Sequence, residues 1–413
     1  MLENIPEPDQ KAIAARIRPE AERAVRSGHP WVYSDSIVDL SRKGKSGDIV
    51  VLFDRKNRFL AAGLLDQDSS IAVRVLQFSE PSDIDKSWFR KKIQQAADRR
   101  DVLSHSPNNR TNAYRLVHGE NDGLPGLVID RYAASLVLKV YTSAWIPHLT
   151  GILPILEEIQ PAERVVLRAA RGAAGKIQDT FGVHDGEILL GPELNEPVLF
   201  LENGLSFEAD LINGQKTGFF LDQRENRARL ERMSNGKSVL NLFSYSGGFS
   251  VYAARGGARS VTDVDTCTES NSASRRNMAR NKHLFSSNPP EHTIHEMDVF
   301  DALSKMAAKH RSFDVVIVDP PAFANNNKQV ELALKNYARL TRECLHVLKP
   351  GGILVQASCS SPVESNSFFQ TVIEACRKSN RNLTEITRTG HALDHPIGFK
   401  EGSYLKCLYA IID

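Results

Sequence analysis

VLNLFSYSGGFSVYAARGG, residues 239–257, is the stretch whose reading decides the fold. A short apolar run leads into a polar turn carrying Gly247 and Gly248, and a helix-like segment follows: strand, glycine turn, helix. The same rhythm recurs on either side. SVTDVD (260–265), FDVVIVD (313–319) and GGILVQAS (351–358) are strand-like runs separated by helical stretches. A βαβ pattern from about residue 201 onward predicts a mostly parallel sheet with helices on both faces. Ligands of such sheets bind beyond the carboxyl ends of the strands, so the residues ending each run are the ones to read.

At the first of these ends, Gly247 and Gly248 let backbone approach a ligand closely, with helix N-terminal amides facing it. The turn is not GxGxxG, which argues against a nicotinamide oxidoreductase. A plain tight turn is the bland alternative. SVTDVD ends in Asp265, where a carboxylate is placed to accept from ribose hydroxyls; Asp263 competes but lies inside the strand. HTIHEMDVF (292–300) supplies Asp298, an acceptor for an adenine amino group, and helix capping is the competing role for any of these acids.

FDVVIVDPPAF (313–323) ends in Asp319, followed by Pro320 and Pro321, which fix the backbone and remove two amide donors. The result is an acceptor edge suited to a nucleobase amine or ring N–H, with Phe323 available to stack. LVQASCSSPVE (354–364) then sets Cys359 where an apolar run gives way to polar residues, facing the same rim as Asp319. A free cysteine is usually core filler. Cys267, Cys344, Cys376 and Cys407 lack such a setting and are read that way.

Upstream, GDIVVLFDRKNRFLAAGLL (47–65) predicts a hairpin and SIAVRVLQF (70–78) a further strand, giving a small β-rich unit over 14–80. An α+β unit over 81–200 follows, with an amphipathic helix near Trp88, Ile93 and Ala97 and turn residues in ENDGLPG (120–126). The net charge is only +2, yet residues 11–60 hold eleven Lys/Arg against six Asp/Glu. That local excess, with Lys43 and Lys45 in it, fits a polyanion such as RNA, and a solvated surface equally well. No apolar stretch reaches the ~20 residues of a membrane span. The five scattered cysteines show no CxxC pair, which argues against a zinc site or disulfide framework. The acidic, core-less first ten residues point away from export, so a cytoplasmic location is expected. A homodimer is compatible with all of this.

HPWVYS, GENDGLPG, KTGFFLDQRENR, NLFSYSGGF, DVD, DPPAF and SCS occur in that order from about residue 14 to the end. In this order they resemble the family of S-adenosylmethionine-dependent 23S ribosomal RNA 5-methylcytosine methyltransferases. The resemblance implies an N-terminal PUA barrel that holds structured RNA, a central α+β domain, and a Rossmann-like catalytic domain over 201–413. It implies that Phe243, Ser244, Tyr245, Ser246 and Gly247 line S-adenosylmethionine. Asp265 would then hold its ribose and Asp298 its adenine, with Asp222 and Asp319 nearby. Pro320 and Phe323 would meet the base, and no metal is implied. His395, in DHPIGFKEGSYLK, is read as structural.

Carbon 5 of cytosine is a poor nucleophile, and thiolate addition at carbon 6 activates it. A thiol of pKa ~8.5 is only about 3% ionised at pH 7, so the site should activate Cys359. Asp319, in protonated form or through a neighbouring hydrogen bond to the base, would stabilise charge developing at N3. Many 5-methylcytosine enzymes place a second cysteine where this chain has Pro321, so another group must take the carbon 5 proton. An RNA nitrogen methyltransferase, acting on guanine N7 or an exocyclic amine, would share the cofactor turn, Asp265 and the DPP edge but would not need Cys359. A non-catalytic RNA-binding assembly factor is the reading from a different class.

Overall fold

The computed structural model describes residues 5–67, 69–104 and 110–413. The chain gathers into two compact units. One runs up to Phe200 and includes Ala209–Phe219 and Asp394–Phe399. The other comprises Leu201–Glu208, Phe220–Leu393 and Lys400–Asp413.

The first unit holds two sheets. In one, the strands run in the order Trp31–Tyr33, Ile71–Phe78, Phe59–Leu65, Ile49–Phe53, Ile13–Ile17, Ile37–Leu40. Its two outermost strands are joined by the three-residue turn Ser34–Ser36, so the sheet curls round on itself. Ile49–Phe53 and Phe59–Leu65 form the expected antiparallel hairpin. Alternation along Ile13–Ile17 sends Ile13, Ala15 and Ile17 inward and Ala14 and Arg16 to solvent. The second sheet has five strands between Ala113 and Leu190. Helices Lys86–Asp98 and Leu149–Ile159 contribute Trp88, Phe89, Ile93, Ile152 and Leu156 to its core.

Several of the quoted motifs have structural duties here. The Trp31 indole N–H donates to Glu120 at 2.9 Å, tying HPWVYS to GENDGLPG. Buried Arg100 grips Asp122 with two hydrogen bonds of 2.7 and 2.9 Å and also donates to the Asp394 carbonyl. Asp394 accepts from the Arg115 amide and sits 3.0 Å from His395 Nδ1, both residues being buried. His395 is a packing residue in this unit, as expected.

The second unit is built on a seven-stranded sheet: β1 (Ser238–Leu242), β2 (Ser260–Asp265), β3 (Glu291–Glu296), β4 (Phe313–Val318), β5 (Leu348–Ser358), β6 (Leu383–Thr389) and β7 (Lys406–Ile412). The order is β3-β2-β1-β4-β5-β7-β6. The first five strands are parallel, and β7 runs antiparallel between β5 and β6. Six helices flank it: α1 (Arg224–Glu231), α2 (Gly248–Arg255), α3 (Thr268–Arg280), α4 (Val299–Ala308), α5 (Val330–Leu345) and α6 (Ser365–Lys378).

Alternation assigns the helices to faces. Leu240, Val264, Val316 and Leu354 pack with Leu303 of α4, Leu340 of α5 and Phe368 of α6. Their strand neighbours Val239, Val261, Val315 and Val355 pack with Leu230 of α1, Ala253 of α2 and Met278 of α3. This is the Rossmann-like sheet that the βαβ rhythm predicts. Strand order reverses between β1 and β4, and that switch point opens a crevice at the carboxyl ends.

Candidate active site

The loop leaving β1 is strained. Phe243 and Tyr245 hold φ of 58° and 48°, left-handed values that cost non-glycine residues roughly 1–3 kcal/mol each. Hydrogen bonds enforce the shape. The Tyr245 amide donates to Asp265 Oδ2 at 2.9 Å, and the Asn277 side chain donates to the Ser246 carbonyl at 2.9 Å. Gly247 (φ 75°) is required twice over, because a Cβ there would stand 2.2 Å from Ser274 Oγ. The hydroxyls of Ser244 and Ser246 are buried and have no hydrogen-bond partner among the described residues.

Asp265 closes β2. Its two oxygens accept the Tyr245 and Cys267 amides, both at 2.9 Å, and each keeps a second lone pair. Asp263, the competitor two residues earlier, is fully buried. It accepts from Ser250, from Ser274 at 2.6 Å and faces His292 Nε2 at 2.9 Å, so no ligand reaches it. Asp298 does cap a helix: Oδ1 accepts the Phe300 and Asp301 amides at the start of α4, at 2.8 and 3.3 Å. The rest of its carboxylate faces solvent. Asp222 is buried, its Oδ2 accepting from the Tyr404 hydroxyl at 2.8 Å.

Asp319 and Cys359 stand just past the ends of adjacent strands β4 and β5. Cys359 is half-buried, with its Sγ 3.8 Å from the Pro320 carbonyl, so the thiol lies against the peptide that follows Asp319. Both flanking serines anchor it. Ser360 Oγ accepts the Phe323 and Ala324 amides at 2.9 and 3.2 Å, while Ser358 Oγ donates to the Tyr337 hydroxyl at 2.8 Å. The SCS and DPPAF segments are thereby locked together. The Pro320 ring is buried, so this residue offers its carbonyl rather than a surface. Phe323 is half-buried, with one face turned on Tyr337 at 4.9 Å between centroids.

A family model for S-adenosylmethionine-dependent methyltransferases matches residues 115–396, and one for PUA-like domains matches residues 15–78. The chain belongs to the S-adenosylmethionine-dependent methyltransferase family. This methyltransferase is 42% identical over 403 residues to a Deinococcus radiodurans protein named ribosomal RNA large subunit methyltransferase, covering 97% of this chain and 98% of that one. It is 36% identical over 404 residues to ribosomal RNA large subunit methyltransferase I of Shewanella frigidimarina, covering 97% and 99%. Among solved structures, the crystal structure of SMU.776, described as a methyltransferase complexed with SAH, superposes with TM-score 0.81 at 27% identity, over 97% of this chain and 99% of that one.

The residues at the β1 loop fit S-adenosylmethionine. A ligand rich in hydroxyl and amine groups can satisfy the buried Ser244 and Ser246 hydroxyls, and the two left-handed non-glycine residues set one apart in that loop, Phe243 and Tyr245, are the kind of strain a preformed cradle stores.

Two contributors to the methyltransferase site escaped the sequence reading. Gln223 donates from Nε2 to Asp319 Oδ2 at 3.0 Å. Its orientation is set from behind: Asn226 Nδ2 donates to Gln223 Oε1 at 2.6 Å, and Thr389 donates to Asn226 Oδ1 at 2.6 Å. Lys406 is the second, buried at the start of β7 with its Nζ 2.7 Å from the Ser360 carbonyl. FLDQR contains Gln223 and SYLK ends in Lys406, but neither spacing reveals what the side chain meets. Lys43 and Lys45 are exposed on the loop before Ile49–Phe53 and belong to the other compact unit. Of the other basic residues there, Arg58 is drawn into a 2.8 Å pair with buried Asp54, and Arg55 lies 3.7 Å from Glu22.

Proposed function

We propose that this methyltransferase moves a methyl group from S-adenosylmethionine to carbon 5 of a cytosine in large-subunit ribosomal RNA, through a covalent bond to Cys359. The observation that carries the reading is the thiol's setting. It is half-buried at the carboxyl end of β5, held by Ser360 against the segment that begins with Asp319, with Ser358 tied to Tyr337. The buried Cys344 and Cys407 have thiols pushed far up by burial, and Cys376 is pushed up to about 11 by the same cause. Those three are inert filler. The relatives' names support ribosomal RNA of the large subunit as the substrate.

S-adenosylmethionine supplies an electrophilic methyl group on a sulfonium. The Cys359 sulfur adds its electron pair to carbon 6, and the ring's π pair moves to carbon 5, which becomes nucleophilic enough to take the methyl, whose old bonding pair would stay on the donor sulfur as a neutral thioether. Asp319, with one oxygen accepting from Gln223, meets the polar edge of the base and, in the protonated form it takes up there, donates to N3 and stabilises the charge that gathers on it. A base then removes the carbon 5 proton. The C–H pair returns to the ring and the carbon 6–sulfur pair leaves with Cys359.

Nucleoside mass spectrometry of ribosomal RNA incubated with isotope-labelled S-adenosylmethionine tests this directly. Label is expected on carbon 5 of cytosine, and Cys359→Ala is expected to abolish it while S-adenosylmethionine still binds. Label on a ring nitrogen or exocyclic amine, or normal turnover by Cys359→Ala, would reject the carbon reading.

A further inference from the structure

We infer that the buried Lys406 side chain keeps Cys359 in its thiolate form, as an ammonium–thiolate pair at the rim of the sheet. The inference rests on Cys359 being the nucleophile.

Lys406 opens β7 and lies directly opposite Ser358, the residue before Cys359. It is only 2% exposed. Its Nζ donates to the Ser360 carbonyl at 2.7 Å and the Tyr404 carbonyl at 3.0 Å, which leaves one N–H of the three uncommitted. Carbonyls orient an ammonium but do not cancel its charge. Among the described residues no carboxylate forms an ion pair with it; the ionisable neighbour whose charge acts on it is Cys359. An unpaired ammonium in such a place is costly, and sequences keep one where a counter-ion is present. Burial pushes this amine down to about 8, and the Cys359 charge pulls it back up.

Moving one proton from Sγ to Nζ converts a thiol and an amine into a thiolate and an ammonium. Each charge then compensates the other, and no other atom changes. Two further ionisable groups lie near the thiol, Asp319 at the end of β4 and Tyr337 on α5, whose phenol feels the charges of both. Burial, and then the charges of Cys359 and Asp319, hold the Tyr337 phenol above its usual range, so it stays neutral. Asp319 opposes a thiolate. Lys406 is a cation whose charge the Cys359 thiolate answers. It acts through the sulfur and is therefore a positioning residue. It serves both ends of the reaction, because a stabilised thiolate is present in greater fraction for attack and departs faster from carbon 6.

The test needs neither RNA nor S-adenosylmethionine. In a Cys267→Ser background, which leaves the three buried thiols protected, the rate of Cys359 alkylation by iodoacetamide is followed against pH. The wild-type Lys406 protein is expected to show a midpoint below the ordinary thiol value of ~8.5. Lys406→Met is expected to raise that midpoint by about one unit or more, and Lys406→Arg to keep it below that of the Met variant. A wild-type midpoint at or above ~8.5 overturns the inference, and it is readable even if Lys406→Met does not fold. Coincident midpoints for wild type and a folded Lys406→Met overturn it as well, assigning the lysine to packing alone. Methylation surviving in Cys359→Ala would defeat the covalent mechanism while leaving the thiol midpoint as measured, so the two failures are separable.

Discussion

Asp263 and Asp265 share one face of β2, two residues apart, yet one is a structural anchor and the other reaches the rim. Depth separates them: Ser250, Ser274 and His292 close over Asp263, whereas Asp265 lies where the strand ends and holds loop amides instead. That much was legible, because the length of an apolar run gives away its last residue. Gln223 was not. It meets Asp319 across 96 residues of sequence, and a glutamine at a helix start carries no signal of what it touches. With Asn226 and Thr389 behind it, Gln223 has one amide orientation, so Asp319 receives a fixed donor. Gln223→Leu removes that donor at similar volume. A hydrogen bond to a charged group is worth about 1.5–3 kcal/mol, so the methylation rate under single turnover is expected to fall roughly 10- to 100-fold. Affinity for S-adenosylmethionine, titrated in parallel, is expected to hold, and a loss of binding instead would place Gln223 at the cofactor.

The start of α4 illustrates two duties on one side chain. Asp298 caps the helix through Oδ1, the role that sequence reasoning set beside adenine binding. Substitution separates them. Asp298→Ala is expected to cost about 1 kcal/mol in denaturant unfolding, whereas Asp298→Ser keeps the cap and restores most of that stability. If the carboxylate also accepts from adenine, both variants weaken S-adenosylmethionine binding alike; affinity that recovers with serine would leave only the cap. At the opposite ends of the strands, Asp314 ties three elements together. It accepts from the Ser238 amide and hydroxyl at 2.8 and 2.7 Å and from Lys349 at 2.8 Å, linking β4 to β1 and β5. Burial opposes ionisation there, but the Lys349 and Ser238 hydrogen bonds outweigh it and hold the carboxyl well below its usual range. A lowered folded-state pKa means stability that is present above the unfolded value near ~4 and lost as pH falls through the folded one. Asp314→Asn is therefore expected to destabilise by roughly 1–3 kcal/mol at pH 7, with the gap to wild type closing under acid unfolding below about pH 4. A gap that stays constant with pH would mean that the charge contributes nothing.

Across the whole molecule, the βαβ rhythm announced the seven-stranded sheet because each strand and helix there is a local pattern. The segment Asp394–Phe399 had no such announcement: it follows β6 in sequence but packs with the first unit, through Arg100 and Arg115. Ion pairing also rewrites the basic segment. A count of charges treats Arg26, Arg55 and Arg58 as free for RNA, yet the structure spends them on Glu22 and Asp54. Lys43 and Lys45 remain exposed, without a side-chain ion pair among the described residues. If this PUA-like unit holds RNA, each lysine that neutralises a phosphate releases counter-ions, and the slope of log affinity against log salt counts such contacts at about 0.7–0.9 each. Lys43→Glu with Lys45→Glu is then expected to weaken RNA binding at low salt and flatten that slope by up to about two contacts, regardless of sequence. Arg55→Glu, whose charge is already partly answered by Glu22, is expected to change the slope less. Filter binding across a salt series reads both, and an unchanged slope in the double lysine variant would move the RNA contact off this loop.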